Sequence, residues 1–326
     1  MVEMIIREAI SRGLREALEG DDRVFLMGED IGEYEGSYAV TRGFLEDFGP
    51  ERVRDMPIAE SVIVGSAIGA AMAGLRPVVE LMTINFALLA MDQIVNHAAK
   101  LRYMSNGQLT VPITIRTVTG GGGQLGATHS QSFEGWFASV PGLKVVAPST
   151  PHDALGLLRS ALVDDSPVIY AEHALLYSSK GEVPDEWFDV PIGSAAVRRA
   201  GDDVTIVAYS RMAQYAEQAA EILKEKTGKE AEVIDLRTLR PLDMDTVFES
   251  VRKTSRAVVV DEAWRTGGFS GEIASSIQEG VFDYLDAPVV RVAGADVPAP
   301  YARALEAAVY PSPERIVEAI ERNFGF

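Results

Sequence analysis

Short apolar runs alternate with stretches of helical periodicity along the whole chain, and the alternation falls into two halves. In the first half, residues 23–27, 77–81, 112–118, 143–147 and 167–171 are rich in Val, Ile and Leu and are mostly bounded by Pro, Gly or Asp. That is the pattern of strands covered on both faces. Helical spacing separates these runs, most clearly over residues 85–104. In the second half, residues 203–209, 231–236, 256–261 and 288–292 repeat the pattern. Strand and helix in such alternation predict an α/β fold with parallel sheets under helices. Between the halves, residues 178–201 carry Lys180, Gly181, Pro184, Asp185, Pro191 and Gly193 without periodicity, which reads as a linker. The expected boundary lies near residue 187, giving domains 1–187 and 188–326, and no internal repeat interrupts either.

Composition narrows the functional classes. The longest nearly apolar stretch, residues 61–75 between Glu60 and Arg76, is rich in Gly and Ala and falls short of the roughly 20 residues a membrane span requires. It predicts a buried helix. Residues 1–19 set Glu3, Arg7, Glu8 and Arg12 among apolar positions at helical spacing, unlike a signal peptide, so a cytoplasmic, unprocessed chain is expected. The absence of cysteine removes disulfides, thiolate metal sites and cysteine nucleophiles. A net charge of −18 repels phosphate backbones and anionic lipid, so neither nucleic acid nor membrane is an expected partner, whereas a basic protein is compatible.

Chemistry must then come from carboxylates, the four histidines or a cofactor. His97, His152 and His173 sit in or beside expected helices and strands and read as structural. His129 closes a glycine-rich segment beginning at Gly120, between an expected strand and a helix near Phe133. Loops at the strand ends of parallel sheets are where ligands bind, although a glycine run is also the composition of a mobile turn. No Lys and Ser or Thr follow Gly126, so the segment is not a Walker phosphate loop, and it lacks a dinucleotide-binding context. Glu60 opens the small-residue helix, either as a first-turn partner of the helix dipole or as a desolvated acid of raised pKa. The stretch from Glu80 to Asp92, with Met82 and Phe86, has the spacing of simple core.

Taken in order, several segments carry a resemblance: Gly28-Glu-Asp-Ile-Gly32, Asp55-Met-Pro-Ile-Ala-Glu60, Gly74-Leu-Arg-Pro-Val-Val-Glu80, Asp92-Gln-Ile-Val-Asn96 and His129-Ser-Gln-Ser132. Pro141-Gly-Leu-Lys-Val-Val146, Glu232-Val-Ile-Asp-Leu-Arg-Thr238 and the run from Lys253 to Glu262 continue it. Across nearly its whole length the chain resembles the beta subunit of the decarboxylating component of pyruvate and branched-chain 2-oxo acid dehydrogenase complexes. The resemblance implies a pyrimidine-binding domain with a parallel sheet, followed by a smaller α/β domain shared with transketolases. It implies thiamine diphosphate as cofactor, with Glu60 bonded to the aminopyrimidine ring and controlling its tautomer so that the ylide can form. His129 matches the histidine facing the reacting carbonyl, Met82 and Phe86 match an apolar wall beside the ring, and Glu29 matches a further acid near the cofactor. Some family members hold a structural potassium ion at positions matching Ile113, Ala161, Asp164 and Ser166.

No Gly-Asp-Gly occurs in the sequence, although thiamine enzymes anchor the diphosphate through a magnesium ion held by that motif. The family therefore implies an alpha subunit that carries magnesium, an alpha-beta heterotetramer, and a lipoyl-bearing acyltransferase component as a further partner. The residues from Leu81 to Phe86 and from Phe133 to Gly135 fit the pyruvate type better than the branched-chain type. A branched-chain 2-oxo acid or acetoin is the alternative substrate. Remoter readings are the C-terminal part of a split transketolase, which would need basic residues for a sugar phosphate, and a catalytically silent scaffold subunit.

Overall fold

The computed structural model describes residues 1–326. Contact density divides the chain into two units, Met1–Thr119 with Trp136–Ile192, and Gly120–Gly135 with Gly193–Phe326. The division at Ile192 lies close to the residue 187 expected from sequence. The sequence reading, however, left residues 120–135 in the first domain, and the structure groups them with the second.

In the first unit, strands β1 (Val24–Gly28), β2 (Val53–Asp55), β3 (Arg76–Leu81), β4 (Thr114–Thr119), β5 (Lys144–Val146) and β6 (Val168–His173) lie in the spatial order β5-β6-β4-β3-β1-β2. Every pairing among them is parallel. Helix α1 (Ile6–Gly20) buries Ile6, Ala9, Ile10, Leu14 and Leu18, whose spacing of three and four residues sets them on one face. Glu8 accepts from the Ile5 amide at 3.0 Å and closes its first turn. Each such buried branched side chain contributes about 1.5–3 kcal/mol.

Helix α2 (Glu60–Met72) differs from the buried helix expected of its composition. Ile63, Val64, Ala67 and Ile68 are buried, but Val62 is 53% and Met72 40% exposed. An apolar helix with an uncovered face has more hydrophobic surface than this unit buries. The helix expected over 85–104 is also interrupted. It runs through a short turn at Ile84–Ala87, a widened i+5 turn over Gln93–Ala98 and a final segment Ala99–Met104. Gly142, at φ +101°, passes so near this region that a Cβ there would lie 2.0 Å from the Ala99 carbonyl oxygen, which requires glycine on both counts.

The second unit has strands β7 (Ala196–Arg199), β8 (Val204–Ala208), β9 (Ala231–Asp235), β10 (Ala257–Trp264) and β11 (Val290–Gly294), in the order β11-β10-β8-β9-β7. Only β7 runs antiparallel to its neighbour. It falls within the expected linker, as does Lys180–Val183, which pairs with the N-terminal strand Val2–Ile5. Both are short and polar enough to escape a search for apolar runs. Helices α3 (Arg211–Thr227), α4 (Met244–Thr254), α5 (Ser270–Val281) and α6 (Pro313–Phe324) cover the sheet. No helix is long and apolar enough to cross a membrane.

Candidate functional site

In the first unit the sequence candidates gather where parallel strands end, the position at which α/β sheets bind ligands. Glu29 follows β1 directly, Met82 follows β3, and Glu60 is the first residue of α2. Gly28 makes the sharp exit from β1 feasible, because a Cβ there would meet the Glu80 carbonyl oxygen at 2.6 Å. Asp55, at the end of β2, accepts from the Gly32 amide at 2.6 Å and the Glu33 amide at 2.9 Å, pinning the loop that follows Glu29.

Glu60 is 4% exposed, and its helix has no side-chain cap, so an acid sits at an N-terminus where backbone amides point outward. Glu29 is 7% exposed, and its Oε1 has no hydrogen-bond partner. Burial, then the charges of Glu60 and Asp30, push the Glu29 carboxyl above its ordinary value. A buried acceptor left without a donor is costly, so this oxygen is one that an incoming donor would complete. Met82 and Phe86 are both half-buried. Two electrostatically coupled carboxyls with apolar neighbours available suit a flat heterocycle that carries N–H donors.

Beneath these loops lies a network the sequence reading missed. Arg116, in the middle of β4 and 2% exposed, donates from Nε and Nη2 to Glu172 at 2.6 and 2.9 Å and from Nη1 to Glu80 at 2.6 Å. Tyr177 donates to the same Glu172 at 2.6 Å. Burial raises the Glu80 carboxyl even against the opposing Arg116 charge. The signal was available: Glu80, Arg116 and Glu172 are charged residues within three strands whose other interior positions are apolar or neutral.

The four positions matched to a potassium ion have protein partners of their own. The Ala161 carbonyl already accepts from Thr114 Oγ1 and the Asp164 amide, at 3.2 and 3.3 Å, and the Ile113 carbonyl accepts from Val168 at 2.9 Å. The Asp164 carboxylate holds the Ser166 amide at 2.8 Å and pairs with the Lys144 ammonium, while Arg76 donates to the Asp164 carbonyl at 3.2 Å. Two protein cations, Lys144 and Arg76, therefore supply positive charge around Asp164.

In the second unit, the glycine-rich segment is strapped down rather than loose. Glu262 accepts from the Gly121 amide at 2.7 Å, and Glu306 accepts from Gly122 at 3.1 Å and from Gln124 at 3.0 Å. Arg211 donates to the Gly121 carbonyl at 2.9 Å and pairs with Glu262 at 3.1 Å, and Tyr310 donates to the Ser130 carbonyl at 2.9 Å. Glycine is needed here: a Cβ on Gly121 would lie 1.9 Å from the Tyr310 hydroxyl oxygen, and one on Gly126, at φ +76°, would lie 2.3 Å from the Tyr301 ring. His129 stands exposed beyond these anchors, its Nδ1 within 3.0 Å of Thr128 Oγ1. None of the four anchoring side chains was singled out from sequence, since their partners lie on backbone far away in the chain.

The remaining histidines have local partners. His173 Nδ1 accepts from the Leu175 amide at 3.2 Å, His152 stacks on Phe188 with centroids 4.5 Å apart, and His97 lies 3.5 Å from Asp92.

The transketolase pyrimidine-binding domain family matches residues 3–180, and the transketolase C-terminal domain family matches residues 193–316. The mitochondrial pyruvate dehydrogenase E1 component subunit beta-2 of Oryza sativa subsp. japonica is 51% identical over 324 residues, covering 98% of this chain and 86% of that protein. The pyruvate dehydrogenase E1 component subunit beta of Rickettsia felis is 47% identical over 321 residues, 98% of each chain. Among solved structures, a split-gene transketolase described as an inactive beta4 tetramer matches with a TM-score of 0.78 over 99% of this chain and 98% of that one. At 24% identity that likeness concerns the fold.

Proposed function

Because the chain belongs to the family of pyruvate dehydrogenase E1 component beta subunits, we propose that it acts with an alpha chain in the oxidative decarboxylation of pyruvate and passes the acyl group to a lipoyl group. The observation that carries this reading is the buried Glu60 and Glu29 pair, with one carboxyl oxygen unsatisfied, at the strand ends of the pyrimidine-binding domain.

Thiamine diphosphate, when bound, supplies the nucleophilic carbon and the electron sink for cleavage of a 2-oxo acid. Glu60 would hold the aminopyrimidine ring and, through its carboxyl oxygen, would share a proton with a ring nitrogen, a general acid–base role suited to a group withdrawn from water. Glu29, its carboxyl pushed up by burial and by the Glu60 and Asp30 charges, retains a proton more readily than an exposed glutamate and limits the negative charge that gathers there. Met82 and Phe86, both half-buried, would exclude water from the ring edge. His129 donates to the substrate oxygen or moves a proton during acyl transfer.

Gly-Asp-Gly is missing from the sequence, so the proposal assigns magnesium and the diphosphate to the alpha chain of a heterotetramer. The uncovered apolar face of α2 supports this, together with Leu89 at 64% and Tyr103 at 88% exposure, since contiguous exposed hydrophobics mark protein interfaces. The proposal gives potassium no step. The test is co-expression with a Gly-Asp-Gly alpha chain and measurement of carbon dioxide release from pyruvate and from 3-methyl-2-oxobutanoate. Turnover is expected with pyruvate and only with thiamine diphosphate and magnesium, and Glu60→Gln should lower kcat by about 100-fold or more. Full activity without the cofactor, or an unaffected Glu60→Gln enzyme, would overturn the reading.

A further inference from the structure

The second unit carries a groove of about 490 Å³ along β11, the strand at the sheet edge, with α6 as its other wall. Four arginines line it: Arg265, Arg291, Arg315 and Arg322. In a chain of net charge −18, where acidic partners are abundant, none of the four forms an ion pair. Three are instead held by neutral acceptors. Arg265 donates to the Arg291 carbonyl at 2.8 Å, and Arg291 donates to the Arg265 carbonyl at 2.5 Å and to Ser270 Oγ at 3.0 Å. Arg315 donates to the Tyr310 carbonyl at 2.6 Å. Neutral acceptors orient a guanidinium without cancelling its charge. Burial, then the neighbouring Arg265 charge, push the Arg291 guanidinium below its ordinary value against the opposing pull of Asp261 and Asp296.

Two carboxylates reach the groove. Asp296 is occupied by the amide and hydroxyl of Thr266, at 3.0 and 2.9 Å, and Glu318 is exposed between Arg315 and Arg322 on α6. Four cations against these two anions and Asp261, whose charge also acts on Arg291, leave an excess of positive charge. Small residues at Ala293, Gly294 and Ala319 leave the floor open. The carbonyl that β11 turns outward at Arg291 is already taken by Arg265, which disfavours addition of a partner strand.

We propose that this groove binds a small, multiply charged anion, a polyphosphate or polycarboxylate of nucleotide size, through the converging guanidinium groups. Fork-shaped donors match either anion, and the site is independent of the Glu60 region. Isothermal titration of the full chain at low ionic strength with ATP, tripolyphosphate, citrate and inorganic phosphate tests it. Saturable binding of a polyanion, much tighter than that of inorganic phosphate and weakening as salt rises, is the expected result. Tighter binding of the phosphates than of citrate assigns a polyphosphate, and the reverse order a polycarboxylate. Arg322→Glu and Arg265→Glu, both at exposed positions, should each weaken binding by about tenfold or more while circular dichroism stays unchanged. No binding by any of these anions, or binding by both variants that is as tight as that of the parent, overturns the proposal. So does capture of an acidic peptide when no small anion binds.

Discussion

Replacing Arg116 by Met removes the one cation that faces two buried carboxylates. The guanidinium makes three charged hydrogen bonds of 2.6 to 2.9 Å, and the Glu172 side chain is 1% exposed. Methionine fills similar volume, so little cavity forms, and the penalty comes from the stranded charges. Breaking a buried pair on one side costs about 3–5 kcal/mol. For domains of this size each kcal/mol moves Tm by about 2–4 °C, giving a fall on the order of 10 °C. The fall should depend on pH. Burial already holds the Glu80 carboxyl above its ordinary value against the opposing Arg116 charge, and loss of Arg116 raises it further. A folded state that binds protons more tightly than the unfolded one loses stability as pH rises through the raised value. Differential scanning calorimetry should therefore show the variant's deficit smallest near about pH 4 and largest near about pH 8. Adding Glu80→Met and Glu172→Gln, the latter keeping an acceptor for Tyr177, should restore most of the loss. A deficit that is the same at both pH values, or a triple variant no better than the single one, would refute the stranded-charge account.

Two other outcomes follow from the site geometry. Glu29→Gln removes an acid whose folded pKa is raised by burial and by Glu60 and Asp30; its Tm should exceed that of the parent at alkaline pH, with the advantage vanishing below the ordinary carboxylate range, and a constant difference would count against this. Glu306→Gln weakens the acceptor for the Gly122 and Gln124 amides, so hydrogen exchange at these two amides should accelerate by about tenfold, with Gly28 and its neighbours unaffected.

The fold was legible because most of its strands are compact apolar runs. The expected 77–81 became Arg76–Leu81, 231–236 became Ala231–Asp235, and 256–261 became Ala257–Trp264. Val53–Asp55 and Ala196–Arg199 were missed because they are short and polar, and edge strands carry little hydrophobic signal. Glu60 could be singled out because it opens a helix of unusual composition. Its coupling to Glu29 could not, because pairing β1 with β2 and β3 is what sets those strand ends side by side. Likewise the anchors at Glu262, Glu306, Arg211 and Tyr310 act on backbone amides and carbonyls of distant residues, contacts without a local sequence pattern.

The strap on the glycine segment also bears on how the protein is made. Gly122 leaves the ribosome 184 residues ahead of Glu306, a delay of roughly 10 to 40 seconds at ordinary translation rates. Throughout that interval the stretch bearing His129 has no acidic clasp to close on it. A nascent polypeptide released early, or cut near residue 187, would carry this histidine in a stretch that cannot set.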